Sequence, residues 1–301
     1  MIEKALEKPH ELVMYEALFA RTPFSMKEDR YFYNLKMGYE GEKKFEQFLD
    51  KTVDNRFIVL SDLRLEVQTT TFQIDSIVLT GDTLYFFDVK NYSGDYKYAE
   101  KRWYKLPDKE VSNPLLQLMR NETLMSQVLQ QLHVSLPVEC FDVFINPEFN
   151  LYQAPLNKHI IFPTQLPKSI KELASKIPVT SSQHTLAQQL ISRDIGDYPH
   201  PRIPAYNFQQ LKKGLRCSKC SGLSVFIEGR KALCPHCQQV EPIHKALLRN
   251  IKELHMLFPD EKLTTNFVYD WCGDGYSKKS IQRLLDDHFQ KKGVRQWTYY
   301  E

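Results

Sequence analysis

The sequence predicts an α/β fold built around a sheet, followed by a small metal-binding ribbon and an all-α module. Residues 56–145 alternate short β-branched and aromatic runs with one well-marked helix, a pattern of strands and helices sharing one sheet. Two Cys-x-x-Cys pairs follow between residues 217 and 237, and three stretches of helical periodicity fill residues 245–289. A length of 301 residues fits about two domains. Charge divides the chain as well: residues 206–301 hold 16 Lys and Arg against 10 Asp and Glu, whereas residues 1–205 hold 24 against 27. The basic surplus is C-terminal and is compatible with phosphate binding.

Residues 1–37 read as an N-terminal accessory helical segment, with Leu12, Val13, Tyr15, Leu18 and Phe19 in a broken helical pattern interrupted at Pro9. From Gly38 to Leu49 the apolar positions Phe45, Phe48 and Leu49 define the inner side of a helix, and Glu42 falls on that side. Arg56 to Leu65 forms a strand. Phe72 to Leu79 and Leu84 to Val89 form two more, joined by the tight turn Gly81-Asp82, where glycine first suits a type II′ hairpin. If Thr80 and Thr83 close that hairpin, Asp75 lies opposite Asp88 and Gln73 opposite Lys90, all on one face of the sheet. Directly opposed carboxylates destabilise a strand pair unless something offsets them. A divalent cation is the natural offset.

Asn91 to Tyr104 reads as a surface loop. A helix then starts at Asn113-Pro114, a favoured N-cap followed by a favoured first helical residue, and runs to about Leu132 with Gln117, Leu124 and Val128 on a common side. Cys140 to Ile145 fits a buried strand. The order is therefore α, β, β, β, α, β over residues 38–150. Residues 151–205 read as a connecting helical segment, with helices around Ser169–Ser175 and Thr185–Ser192.

Hydrolysis of a phosphodiester needs a nucleophilic water and neutralisation of the charge that builds on phosphate, and a metal supplies both. Mg²⁺ takes oxygen ligands at about 2.0–2.1 Å and keeps several waters, so one or two carboxylates hold it. Asp75 and Asp88 fit that role, with the Val89 carbonyl as a third ligand and Glu42 reaching the ion directly or through water. Lys90 would orient the attacking water or neutralise developing charge. The ordered set GYEGE (Gly38 to Glu42), QID (Gln73 to Asp75), DVK (Asp88 to Lys90) and NPLLQ (Asn113 to Gln117) resembles the nuclease-related domain, or NERD, family of the PD-(D/E)xK, restriction-endonuclease-like superfamily. The resemblance covers roughly residues 30–150. It implies metal-dependent cleavage of nucleic acid at an αβββαβ core, with Glu42 as the helix carboxylate, Asp75 and Asp88 as metal ligands, Lys90 as the catalytic lysine and Gln117 as the polar residue of the following helix. Asp88 departs from the pattern, since that family more commonly has Glu there.

Residues 206–241 read as a zinc ribbon. Cys217, Cys220, Cys234 and Cys237 are separated in the middle by 13 residues, and four thiolates close a tetrahedral shell around Zn²⁺, a structural rather than catalytic arrangement. His236 is a weaker alternative ligand. Cys140 and Cys272 stand apart as buried thiols. Residues 242–301 hold helical segments Lys245–Phe258, Thr264–Trp271 and Ser277–Phe289. The last buries Ile281, Leu284, Leu285 and Phe289 and leaves Lys278, Lys279, Gln282 and Arg283 outside, which resembles a helix-turn-helix or winged-helix unit contacting nucleic acid.

The expected activity is that of a Mg²⁺- or Mn²⁺-dependent nuclease, with DNA favoured over RNA. The competing reading is a catalytically idle protein that binds nucleic acid or regulates through its C-terminal modules, which also admit self-association or a protein partner. No run approaches the ~18 apolar residues of a membrane span, and the first residues lack a signal-peptide core, so a cytoplasmic location without membrane association is expected.

Overall fold

A computed structural model describes residues 1–52, 56–173, 176–273 and 275–301, apart from the side chain of Gln296. The chain divides into two compact units, residues 1–9 with 33–199 and residues 10–32 with 200–301. It opens with strand β1 (Ile2–Lys4), helix α1 (His10–Phe19) and the long helix α2 (Met26–Thr52).

The first unit continues through β2 (Ile58–Val67), β3 (Thr70–Leu79), β4 (Leu84–Lys90), β5 (Gly94–Ala99), β6 (Arg102–Lys105), β7 (Lys109–Val111), α3 (Pro114–Gln131), β8 (Val138–Phe144), β9 (Phe149–Tyr152), β10 (Ile160–Ile161), α4 (Leu166–Leu173) and α5 (Ser181–Ser192). Its main sheet runs β1-β2-β3-β4-β8-β10. Strands β2, β3 and β4 are antiparallel, whereas β8 lies parallel to β4. Parallel neighbours require a crossover, which α3 supplies. Asn113 caps α3 by accepting from the Leu115 amide at 3.1 Å, ahead of Pro114.

Helices cover both faces. Phe45 and Leu49 of α2 and Leu166, Ile170 and Leu173 of α4 pack on Val59, Val78, Tyr85, Phe87 and Val143. On the other face Leu118, Met125 and Val128 of α3 and Leu186 and Leu190 of α5 pack on Ile58, Leu60, Ile77, Leu84, Phe86 and Cys140. Burying each such side chain contributes roughly 1.5–3 kcal/mol, and strands covered on both faces read as continuous apolar runs.

Four expectations change. Residues 2–4 form a strand parallel to β2 rather than part of a helical segment. The expected loop 91–104 is the first part of a four-stranded sheet, β7-β6-β5-β9. Its fully buried Trp103 stacks on Phe144 at 5.6 Å, and Phe144 on Phe149 at 4.0 Å. Those partners lie more than forty residues downstream, beyond any local pattern. The segment expected to be connecting completes the main core through β10, α4 and α5, because its apolar residues fill the outer surfaces of both helix layers. Of the helix expected at Ser169–Ser175, residues Ala174 and Ser175 lie outside the described residues.

The hairpin turn is the fourth change. Its register is as expected, with Leu79 facing Leu84 and Ser76 facing Phe87, but Gly81 does not adopt a positive φ, so the turn is not type II′. Glycine is required there for close approach instead. A Cβ would lie 2.4 Å from the Pro178 carbonyl oxygen, while the Gly81 amide donates to the Ile177 oxygen at 2.7 Å.

The second unit joins α1 to β11 (Phe226–Glu228), β12 (Lys231–Leu233), β13 (Val240–Pro242), α6 (Ile243–Leu257), α7 (Thr265–Cys272), α8 (Lys278–His288), β14 (Lys291–Lys292) and β15 (Tyr299–Tyr300). Ribbon and helices share one core, in which Leu215 and Ala232 join Leu18, Leu247, Ile251, Trp271 and Ile281. At its centre the buried Arg21 guanidinium stacks on Trp271 at 3.7 Å and bonds to Glu253 at 2.8–2.9 Å and to the Lys212 carbonyl at 2.8 Å. No described helix is long and apolar enough to cross a membrane.

Candidate functional site

The β3–β4 ladder stops at Ser76 and Phe87, and the acids lie just beyond it. Since Thr80 donates to Thr83 within a hydrogen-bonded pair, alternation along the ladder would pair Val89 with Ile74. The Val89 amide instead donates to Asp75 Oδ2 at 2.7 Å. A carboxylate has replaced a backbone carbonyl as the acceptor at the end of the β3–β4 ladder. Alternation also slips here: Phe72 and Ile74 enter the same apolar cluster as Ile77 and Leu79, and Leu60 shares it with Leu63 on β2. The slip on β2 falls at Asp62, whose φ is 50°.

Asp88 is buried. Its Oδ1 accepts from Gln117 Nε2 at 3.2 Å, its Oδ2 pairs with the Lys90 ammonium, and Lys90 donates to Gln117 Oε1 at 3.3 Å. Gln117 thus bridges the acid and the lysine, and that pattern sets its amide orientation. Glu42 approaches from α2. A Cβ on Gly41 would lie 2.7 Å from Asn91 Cβ, and Asn91 Nδ2 donates to the Met37 carbonyl at 2.8 Å. The small residue lets α2 press against the chain just past Lys90, which brings the next residue, Glu42, to the site.

Electrostatics tie the groups together. Burial, then the charges of Asp62 and Asp88, push Glu42 up to about 7, with Lys90 and Arg64 opposing. Asp75 is raised well above the usual carboxylate range by burial, Asp88 and Glu42. Burial pulls Lys90 down, but Asp88 and Asp75 outweigh it and hold the lysine charged. Asp88 is enclosed, Glu42, Asp75 and Lys90 keep part of their surface open, and Gln117 is exposed. The site therefore opens to solvent on its α3 side.

Gln73 does not face Lys90 as expected. It accepts from Arg64 at 3.0 Å and donates to Asp62 at 2.7 Å, because the ladder has ended before it. Two acids escaped the sequence reading. Asp62 sits beside Glu42 on the slipped part of β2, and Asp142 of β8 stands in direct register with Asp88. Asp142 is fully buried and raised to about 8 by burial and the Asp88 charge. A lone acid in the apolar run CFDVFI carries the same signal as Asp88 in LYFFDVK.

Cys217, Cys220, Cys234 and Cys237 have ligand atoms all within 4.8 Å of one another, with sulfur pairs at 3.5 Å, and are the only such His, Cys, Asp or Glu cluster among the described residues. Four thiols at this spacing could bind zinc. The hairpin joining the two pairs turns at Gly229, with φ of 59°. Glu42, Asp75 and Asp88 are more widely spread, so a cation held by all three would draw them inward or bind partly through water. In the second unit, Ser277 caps α8 by accepting from Ser280 at 3.2 Å. Lys278, Lys279, Gln282 and Arg283 are exposed along it. Lys278 donates to Asn266 at 2.7 Å, and Leu263 bridges to Tyr300 beside the β14–β15 hairpin.

No curated protein and no solved structure matches the chain significantly. Residues 37–145, the stretch that carries Glu42, Asp75, Asp88, Lys90 and Gln117, match the family model described as nuclease-related domain, and the chain therefore carries a NERD domain.

Proposed function

We propose that this protein is a divalent-cation-dependent nuclease acting in the cytoplasm. The carrying observation is the convergence of Glu42, Asp75 and Asp88 on Lys90 where the β3–β4 ladder ends, with Gln117 bridging Asp88 and Lys90. The donor set suits Mg²⁺ or Mn²⁺: every candidate ligand is a hard oxygen, and the three acids exceed the two cations, Lys90 and Arg64, that act on them. Asp75, Asp88 and the Val89 carbonyl would hold the ion, with Glu42 reaching it directly or through water. When bound, the ion supplies an activated water and neutralises charge on phosphate. Lys90, kept protonated by its acidic neighbours, orients the water and stabilises the developing charge. Gln117 holds Lys90 and Asp88 in relative position. Gln73 supports Asp62 and Arg64 behind them.

The C-terminal unit provides affinity in this reading. Zinc on the four cysteines stabilises the ribbon, and α8 followed by the β14–β15 hairpin resembles a winged-helix arrangement that offers Lys278, Lys279, Gln282 and Arg283 to the nucleic acid. That likeness to duplex-reading units favours DNA over RNA.

Plasmid DNA incubated with the protein and Mg²⁺ or Mn²⁺ should be cleaved, whereas Asp88→Ala and Lys90→Ala should lose at least about a hundredfold in rate. Cleavage unchanged in both variants would sink the assignment. Binding of DNA without cleavage of DNA or RNA would favour the idle, nucleic-acid-binding reading.

A further inference from the structure

The Asp142 side chain has no cation of its own among the described ion pairs and meets the Asp88 carboxyl instead. Parallel pairing of β4 and β8 places it directly beside Asp88, with adjacent strands about 4.8 Å apart. It projects to the same side as Asp88, since Phe86 and Cys140, two residues before each, enter one cluster under α3. It is fully enclosed, and among the described residues no nitrogen or hydroxyl donor reaches either carboxyl oxygen, which leaves the Asp88 carboxyl as the group it can share a proton with. Two buried carboxyls set side by side with no donor but a shared proton form a place that a cation can fill, because two carboxylates so close cannot both ionise without one. The nearest cation is already engaged: Lys90 pairs with Asp88 and donates to Gln117.

We propose that Asp142 is a fourth carboxylate of the divalent-cation site, acting with Asp88 across the β4–β8 pair. This rests on the cation-dependent reading of the Asp75 and Asp88 site. It extends the site from the antiparallel β3–β4 edge into the parallel half of the sheet, so that the ion is held from both neighbours of β4. A carboxylate enclosed in this way presents oxygens that water does not compete for, which favours an ion stripped of part of its hydration shell.

The test is Mn²⁺ binding to the full chain without nucleic acid, followed by calorimetry. Wild type should bind Mn²⁺, Asp88→Ala should lose binding, and Asp142→Asn should weaken it by at least about tenfold, with zinc content and far-ultraviolet circular dichroism unchanged. Should the Asn variant not fold, Mn²⁺-soaked crystals of the wild-type protein decide the matter, with an Asp142 oxygen expected near 2.1 Å from the anomalous peak, about the distance of a hard-cation ligand. Wild-type affinity in Asp142→Asn beside lost binding in Asp88→Ala, or an Asp88-bound peak without Asp142 in its shell, overturns the role of Asp142 alone. Absence of Mn²⁺ binding by wild type overturns the cation site as a whole.

Discussion

Replacing Glu42 with Gln separates the cost of a buried charge from its use. The carboxyl titrates at about 7 instead of the ordinary 4.5, first because of burial and then because of Asp62 and Asp88. At about 1.36 kcal/mol per pH unit, that displacement corresponds to about 3 kcal/mol of penalty on the ionised form. The folded state holds the proton more tightly than the unfolded chain, so the penalty is absent below pH 4.5 and complete above pH 7. In chelator, Glu42→Gln should therefore match wild type near pH 4.5 and exceed its stability by up to about 3 kcal/mol at pH 8. Urea denaturation across that range reads the difference directly. Adding Mn²⁺ should stabilise wild type more than the variant and close the gap, while nuclease activity falls in the variant. A variant no more stable than wild type at pH 8, or a gap that does not grow with pH, would refute the electrostatic account of this site.

Three further outcomes follow from the packing. Cys217→Ser should release the zinc, read as loss of about one equivalent in metal analysis, and should lower the melting temperature of the second unit because the ribbon lies in its core. Gly38→Ala and Gly41→Ala should diverge. No described atom lies within 4 Å of a Cβ at Gly38, so alanine there should stabilise α2 by up to about 1 kcal/mol in urea denaturation, whereas at Gly41 it meets Asn91 at 2.7 Å and should lower cleavage. Arg21→Met leaves Glu253 buried with Arg216 as its remaining cation. A loss of about 3 kcal/mol in guanidinium denaturation is expected, the lower end for a broken buried pair.

The balance of charge against burial explains what was legible. An acid inside an apolar strand is costly wherever the chain places it, so Asp88 and Lys90 announced themselves, and Asp142 carried the same mark in a shorter run. The Asn113-Pro114 start of α3 was equally readable because a cap and a fixed φ are local properties. Gln73 turns to Asp62 instead of Lys90 because the β3–β4 ladder ends before it, which hairpin register alone does not reveal. The aromatic sheet is not legible locally because Trp103, beside Tyr98 of its own hairpin, stacks on Phe144, which stacks on Phe149, and both lie on distant segments.

The sequence by itself determined the residue types of the site, the register of the β3–β4 hairpin near its turn and the grouping of the four cysteines, since all depend on spacing along one or two elements. Tertiary structure decided the rest. Asp75 turns to take the Val89 amide, Gly41 admits α2, and parallel pairing brings Asp142 to Asp88, because each of these contacts joins segments whose meeting depends on how the whole sheet and its helix layers pack.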